Sequence, residues 1–167
     1  MPELPPGGRP GVPLSRTATL LGAAALVLAT TRVPAGESPA VIRVTVETAA
    51  GAHTVQAEVA CTLDERAQGL MGRRSLAPDS GMIFLLPTPR PMRMWMKDTP
   101  LALDLIFFDS AHSIMRIERD AEAMSERVIE SGGPVAGVLE IAGGRAQELG
   151  IAARDMVLYT YPRGRYE

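Results

Sequence analysis

From residue 41 onward the chain is built of short segments in which apolar side chains fall on every second position, separated by Gly, Pro and Asp. This pattern limits the fold more than any other feature. A period of two puts one face of an extended strand on a core and the other in water, and it does not suit helices of any length. Ile42, Val44 and Val46 alternate between Val41 and Thr48, and after Ala50-Gly51 a second alternation carries Val55, Ala57 and Val59, which predicts a β-hairpin. Leu101 to Phe108 is apolar on both faces, as a central strand is. Val138 to Ile141 and Asp155 to Tyr161 read as further strands.

Interruptions of the pattern predict the connections. Thr62-Leu63-Asp64-Glu65 has the form of a capping box, so a short helix is expected from Leu63 to Met71 with Leu63, Ala67, Leu70 and Met71 on one face. Arg145 to Leu149 predicts a helical turn stopped by Gly150. Pro78 to Gly81 is a turn before an apolar strand from Met82 to Leu86. Pro87, Pro89 and Pro91 cannot donate ladder hydrogen bonds, so Pro87 to Pro91 is expected to be a loop between two strands. The following strand places Met92, Met94 and Met96 on one face, with Arg93 and Trp95 on the other. The charged stretch from Asp120 to Pro134 reads as an exposed loop. The sum is a mostly β, single-domain fold, a small β-barrel or β-sandwich with two short helices.

A length of 167 residues allows one such domain plus extensions. Arg9 and Arg16 precede an uncharged run from Ala18 to Ala29, and Val33-Pro34-Ala35 follows with the small residues a signal peptidase accepts. Residues 1–35 are therefore expected to be a signal peptide, with an uncleaved anchor as the alternative, and the apolar run is short for a bilayer span. Residues 36–40 read as a linker, 41–162 as the β-rich domain and 163–167 as a tail. The expected location is periplasmic or secreted, with membrane contact only through an uncleaved N-terminal segment.

The formal charge of −2 becomes −4 when Glu3, Arg9, Arg16 and Arg32 leave with the first 35 residues. No basic stripe interleaved with aromatics is present, so no nucleic-acid partner is expected. Cys61 is the single cysteine, and with His53 and His112 as the only histidines the usual four-ligand zinc sites cannot be assembled. No cofactor is implied. Cys61 reads as a buried thiol at a strand end, although it could pair between chains.

Gly69-Leu70-Met71-Gly72-Arg73, Gly81-Met82-Ile83-Phe84, Trp95-Met96-Lys97-Asp98-Thr99, Leu103-Asp104 and Leu139-Glu140 before Ala142-Gly143-Gly144 occur in an order and spacing that resembles the family called domain of unknown function 192. The likeness runs from about Ile42 to Tyr159. It implies a compact β-rich fold and frequent export, and no particular activity, cofactor or substrate. The family pattern has Asn where this chain has Asp98, Ile-Pro-Leu-Asp where it has Leu101-Ala102-Leu103-Asp104, a Gly near Ala111, and often an aromatic at Met94.

Arg73, Lys97, Asp98, Asp104 and Glu140 form the polar set that could carry chemistry, because several lie inside or beside apolar strands. Asp104 shares a strand face with Ile106 and Phe108, so on an interior face it needs a cation or several donors; Arg73, Lys97 and backbone N–H groups are the candidates. Asp98 could pair with Lys97. Three functions remain open. A binding or accessory module would use Arg73, Trp95, Met96, Lys97, Asp98, Asp104 and Glu140 to hold a small molecule or protein segment. An envelope enzyme would use Asp104 and Glu140 as acid and base. A Cu(I)-handling protein would use Met92, Met94 and Met96, whose thioethers are soft ligands, although methionines more commonly fill irregular cores. Trp95 is either a core anchor or the floor of an apolar pocket.

Overall fold

The computed structural model describes residues 39–160; the expected leader and the terminal tail lie outside them. Seven strands form one curled, half-barrel sheet: β1 (Val41–Thr48), β2 (Gly51–Ala60), β3 (Ser80–Met94), β4 (Leu103–Phe108), β5 (Ile114–Ala121), β6 (Ile129–Ala142) and β7 (Met156–Tyr159). The strand order is β5-β4-β6-β3-β2-β1-β7, and every pairing is antiparallel except β2 with β3. The two edges touch at one point, a bridge between Ser113 and Met156, where the Ile114 amide donates to the Asp155 carbonyl at 2.8 Å and the Val157 amide to the His112 carbonyl at 2.8 Å.

Curling the sheet gives it two separate cores. Val44, Val55, Ile83, Ile106, Leu139 and Val157 pack on the concave side. Leu70, Phe84, Met96, Leu105, Phe107 and Val138 pack on the other, beneath the segments that connect the strands. Every residue of β4 is buried, which agrees with the doubly apolar run in the sequence. The β1–β2 hairpin also forms as expected, with Val44, Val46, Val55, Ala57 and Val59 turned inward.

The capping box forms: the Glu65 amide donates to Thr62 Oγ1 at 3.2 Å, and the Thr62 amide to Glu65 Oε2 at 2.9 Å. The helix it starts, α1 (Leu63–Gln68), is shorter than the expected Leu63 to Met71, because Gly69 at φ +48° ends it. Its apolar face does not form as expected either. Leu63 is 75% exposed, and Leu70 reaches the core from beyond the helix end. A second helix, α2 (Arg145–Glu148), is a single turn followed by Gly150 in the left-handed region.

Two expectations are overturned. Pro87 to Pro91 does not separate strands: β3 continues to Met94, and the prolines sit where its register with β6 shifts, once between Leu85 and Arg90 and again between Pro91 and Arg93. A bulge tolerates residues that lack an N–H, and the buried Ser131 hydroxyl repairs the gap by accepting from the Met92 amide at 2.9 Å and donating to the Gly133 carbonyl at 2.7 Å. Nor is Asp120 to Pro134 all loop. Only residues 122–128 connect the strands, and β6 begins at Ile129, whose side chain is buried with Ser131 and Val135.

Asp104 holds these connections to the sheet. It is fully buried, and it takes neither Arg73 nor Lys97 as a partner. Its Oδ1 accepts from the amides of Asp120 (2.7 Å) and Gly144 (3.1 Å), and its Oδ2 from that of Ala146 (2.6 Å). One side chain on β4 thus fixes the end of β5 and the turn from β6 into α2. Because each buried donor left without an acceptor costs about 1–3 kcal/mol, Asp104→Ala is expected to lower stability by about 3 kcal/mol or more. Urea denaturation checks this as a fall in midpoint at unchanged slope.

Candidate functional site

The site lies on the convex side of the sheet, in a cavity of about 290 Å³ between the α1 end, β3, β6 and the segment 94–99. Gly69 lets the chain after α1 close down on β3, since its backbone is left-handed and a Cβ there would stand 3.3 Å from the Phe84 ring. Segment 95–99 is clamped from both sides. The Gly72 amide donates to the Asp98 carbonyl at 2.7 Å, the Met96 amide to the Ser125 carbonyl at 2.9 Å, and the Met124 amide to the Thr99 carbonyl at 3.0 Å. The clamp buries Met96 and Thr99 in the cavity floor and leaves Trp95, 48% exposed, at its mouth.

Glu140 lies at the floor, only 4% exposed. Its cross-strand neighbours are Met82 on β3 and Leu105 on β4, both buried and apolar. Among the described residues no donor or cation pairs with its carboxyl, and burial pushes its pKa from the ordinary 4.5 up to about 8. At neutral pH this side chain is therefore largely a neutral carboxylic acid opening into the cavity. The cations in the lining have other partners. Arg66 donates Nη1 to the carbonyls of Cys61 and Leu85, and Arg93 is exposed, with Nε 3.6 Å from Glu130.

Of the seven residues expected at the site, the cavity collects Trp95, Met96 and Glu140. The other four are placed elsewhere. Arg73 pairs with Glu58 of β2 at 2.5 Å, fixing its loop to the sheet. Lys97 lies over the Trp95 ring, 5.4 Å from the centroid, and 3.7 Å from Glu126. Asp98 is exposed and holds a left-handed turn at φ +52°, a conformation that Asn and Asp tolerate best, so the two residues are interchangeable there for a backbone reason.

Asp104 faces the opposite side of the sheet from Glu140: it is registered with Ile141, whereas Glu140 is registered with Leu105. The two carboxyls cannot reach one substrate atom, and an acid–base pair of Asp104 and Glu140 is excluded by geometry. Of the three alternating methionines, Met94 and Met96 line the cavity, joined by Met71, while Met92 packs at the edge of the convex core. Sequence reasoning missed Arg66, Met71 and Phe84 as cavity residues. Met71 and Phe84 lie in two of the segments that carry the family likeness, 69–73 and 81–84, and Arg66 had no signal of its own.

The family model for domain of unknown function 192, described as an "Uncharacterized ACR", matches residues 44–159. A crystal structure from Sinorhizobium meliloti 1021, of a protein provisionally named a transcription regulator, is 42% identical. It covers 74% of this chain and 96% of its own, with a TM-score of 0.72. A protein of unknown function from Novosphingobium aromaticivorans DSM 12444 is 37% identical over 74% of this chain and 94% of its own, with a TM-score of 0.70. No curated protein matches the chain.

The lone carboxyl has a consequence for stability. In the unfolded chain Glu140 ionises near pH 4.5, and in the folded protein near 8, so between these values the folded state holds one more proton. Stability is then expected to fall as pH rises through this window, by up to about 1.4 kcal/mol per unit, and to level off above it. Glu65 and Glu118 have lowered values and act with the opposite sign, but at pH below the ordinary carboxylate range. Denaturation of wild type and Glu140→Gln from pH 5 to 9 isolates the effect: the variant should gain on the wild type steadily up to about pH 8.

Proposed function

The chain belongs to the domain of unknown function 192 family, and from that premise we propose that it is a small-molecule binding module, exported from the cytoplasm, whose ligand enters the cavity floored by Glu140. One observation carries this reading: a buried carboxyl with no partner among the described residues, facing an open cavity. Leaving a polar group buried and unsatisfied costs stability, and a native structure seldom keeps one without a use. The walls combine apolar side chains, Leu70, Met71, Phe84 and Met96 among them, with a few polar ones, and the volume of about 290 Å³ lies at the small end of ligand pockets. Export is supported by the basic start, uncharged run and small-residue motif within residues 1–35.

A second reading rests on Met71, Met94 and Met96 lining the same cavity, since three thioethers suit Cu(I). Native mass spectrometry of the protein purified from its own cell envelope, under metal-retaining conditions, separates the two. The expected result is a chain beginning near Gly36 with an added organic mass, absent from a Met94→Trp variant whose indole fills the mouth. An added copper mass favours the second reading. A bare chain in both, or an organic mass that Met94→Trp retains, removes the cavity as the site, and a mass that includes residues 1–35 removes cleavage. Trp95, the only tryptophan, gives a fluorescence signal for the same occupancy.

A further inference from the structure

We infer that the occupant of this cavity is an organic cation, a small amine with an aliphatic body, whose ammonium group pairs with the carboxylate of Glu140; this rests on the binding reading above. The burial of the cavity's charges, and not their sum, points there. Glu140 is the one acidic side chain in the lining, and two basic ones share it, Arg66 on α1 and Arg93 on β3. Neither basic group pairs with Glu140: Arg66 is held on two backbone carbonyls, and Arg93 has Glu130 beside it at the surface. The floor thus has an acidic group that no described residue answers, flanked by Met82 and Leu105.

Three kinds of head group could meet that floor. An anion would be drawn to the two arginines, but Arg93 is exposed and Arg66 is held on backbone carbonyls, and at the floor it would be repelled once Glu140 ionised. A neutral acceptor would gain one hydrogen bond from the protonated acid. An ammonium gains an ion pair in a poorly solvated site, where the attraction is stronger than in water. The walls favour the cation as well, because Phe84 and Trp95 bring aromatic rings and Met94 and Met96 polarisable sulfur. The Trp95 ring already has a cation of the protein's own, the Lys97 ammonium, 5.4 Å from its centroid. Binding an amine turns the carboxylic acid into a carboxylate, so one proton leaves the protein for each amine taken up near neutral pH.

The test compares n-hexylamine, 1-hexanol and hexanoate, which share one alkyl body, by Trp95 fluorescence and by calorimetry in two buffers of different ionisation enthalpy. The expected result is preference for hexylamine over hexanol by tenfold or more at pH 8. Its affinity should rise about tenfold per unit between pH 6 and 7 and flatten above 8, with close to one proton released per amine at pH 7. Glu140→Gln should lose the preference and the pH dependence while still binding hexanol, which shows that the variant is folded with its cavity intact. Equal or tighter binding of hexanol or hexanoate, or an amine affinity indifferent to pH and to Glu140→Gln, overturns the cation assignment and leaves the binding cavity standing. Failure of all three to bind overturns both.

Discussion

The three amides gathered by Asp104 hold the molecule's connections in place. Strand β4 is buried on both faces: the other strands of the curled sheet cover one, and short connecting segments help to cover the other. Asp104 fastens the end of β5 and the β6–α2 turn to one point on β4 through hydrogen bonds of 2.6–3.1 Å. A carboxyl is suited to this because its two oxygens accept several bonds at once, and backbone N–H groups at turns have no ladder partner to take them. With those turns fixed, α2 places Ala146 against the concave core, and the chain beyond it leads into β7.

A second acidic side chain lies on the neighbouring strand, and its circumstances are the reverse. Glu140 faces the convex side between Met82 and Leu105, and no amide or cation of the described residues reaches it. Asp104 is as deeply buried, but the three amides replace the water it has lost; for Glu140 nothing does, and burial drives it toward the protonated form. One carboxyl is satisfied within the fold, and the other faces a cavity.

Parts of this were legible in the residues. The hairpin alternation of Ile42 to Val59, the Thr62–Glu65 box and the doubly apolar run before Phe108 each rest on contacts close in sequence or on burial alone, and each appears as read. The failures share a cause. The prolines at 87, 89 and 91 looked like a break because the repair comes from Ser131 on a different strand, and the charged start of β6 looked like loop because its pairing with Arg93 and Met94 spans a bulge. Among the candidate residues that line the cavity, Trp95 and Glu140 were singled out as an aromatic and a charged side chain, and Met96 through the Trp95-Met96-Lys97 segment. Arg73, Lys97, Asp98 and Asp104 were singled out as well, and they are spent on an ion pair, a ring contact, a turn and a backbone clamp.

What the sequence determined by itself is the family, the mostly β class, the hairpin, the helix start and the small set of charged residues that burial would make expensive. These follow from local propensity and from the period of side-chain burial, which neighbouring residues carry. Which charge meets which partner was decided only in three dimensions. Whether a carboxyl on β4 or β6 faces amides or a cavity depends on strand register and on turns that close from 16 to 42 residues away, and a one-residue change of register would exchange the two faces.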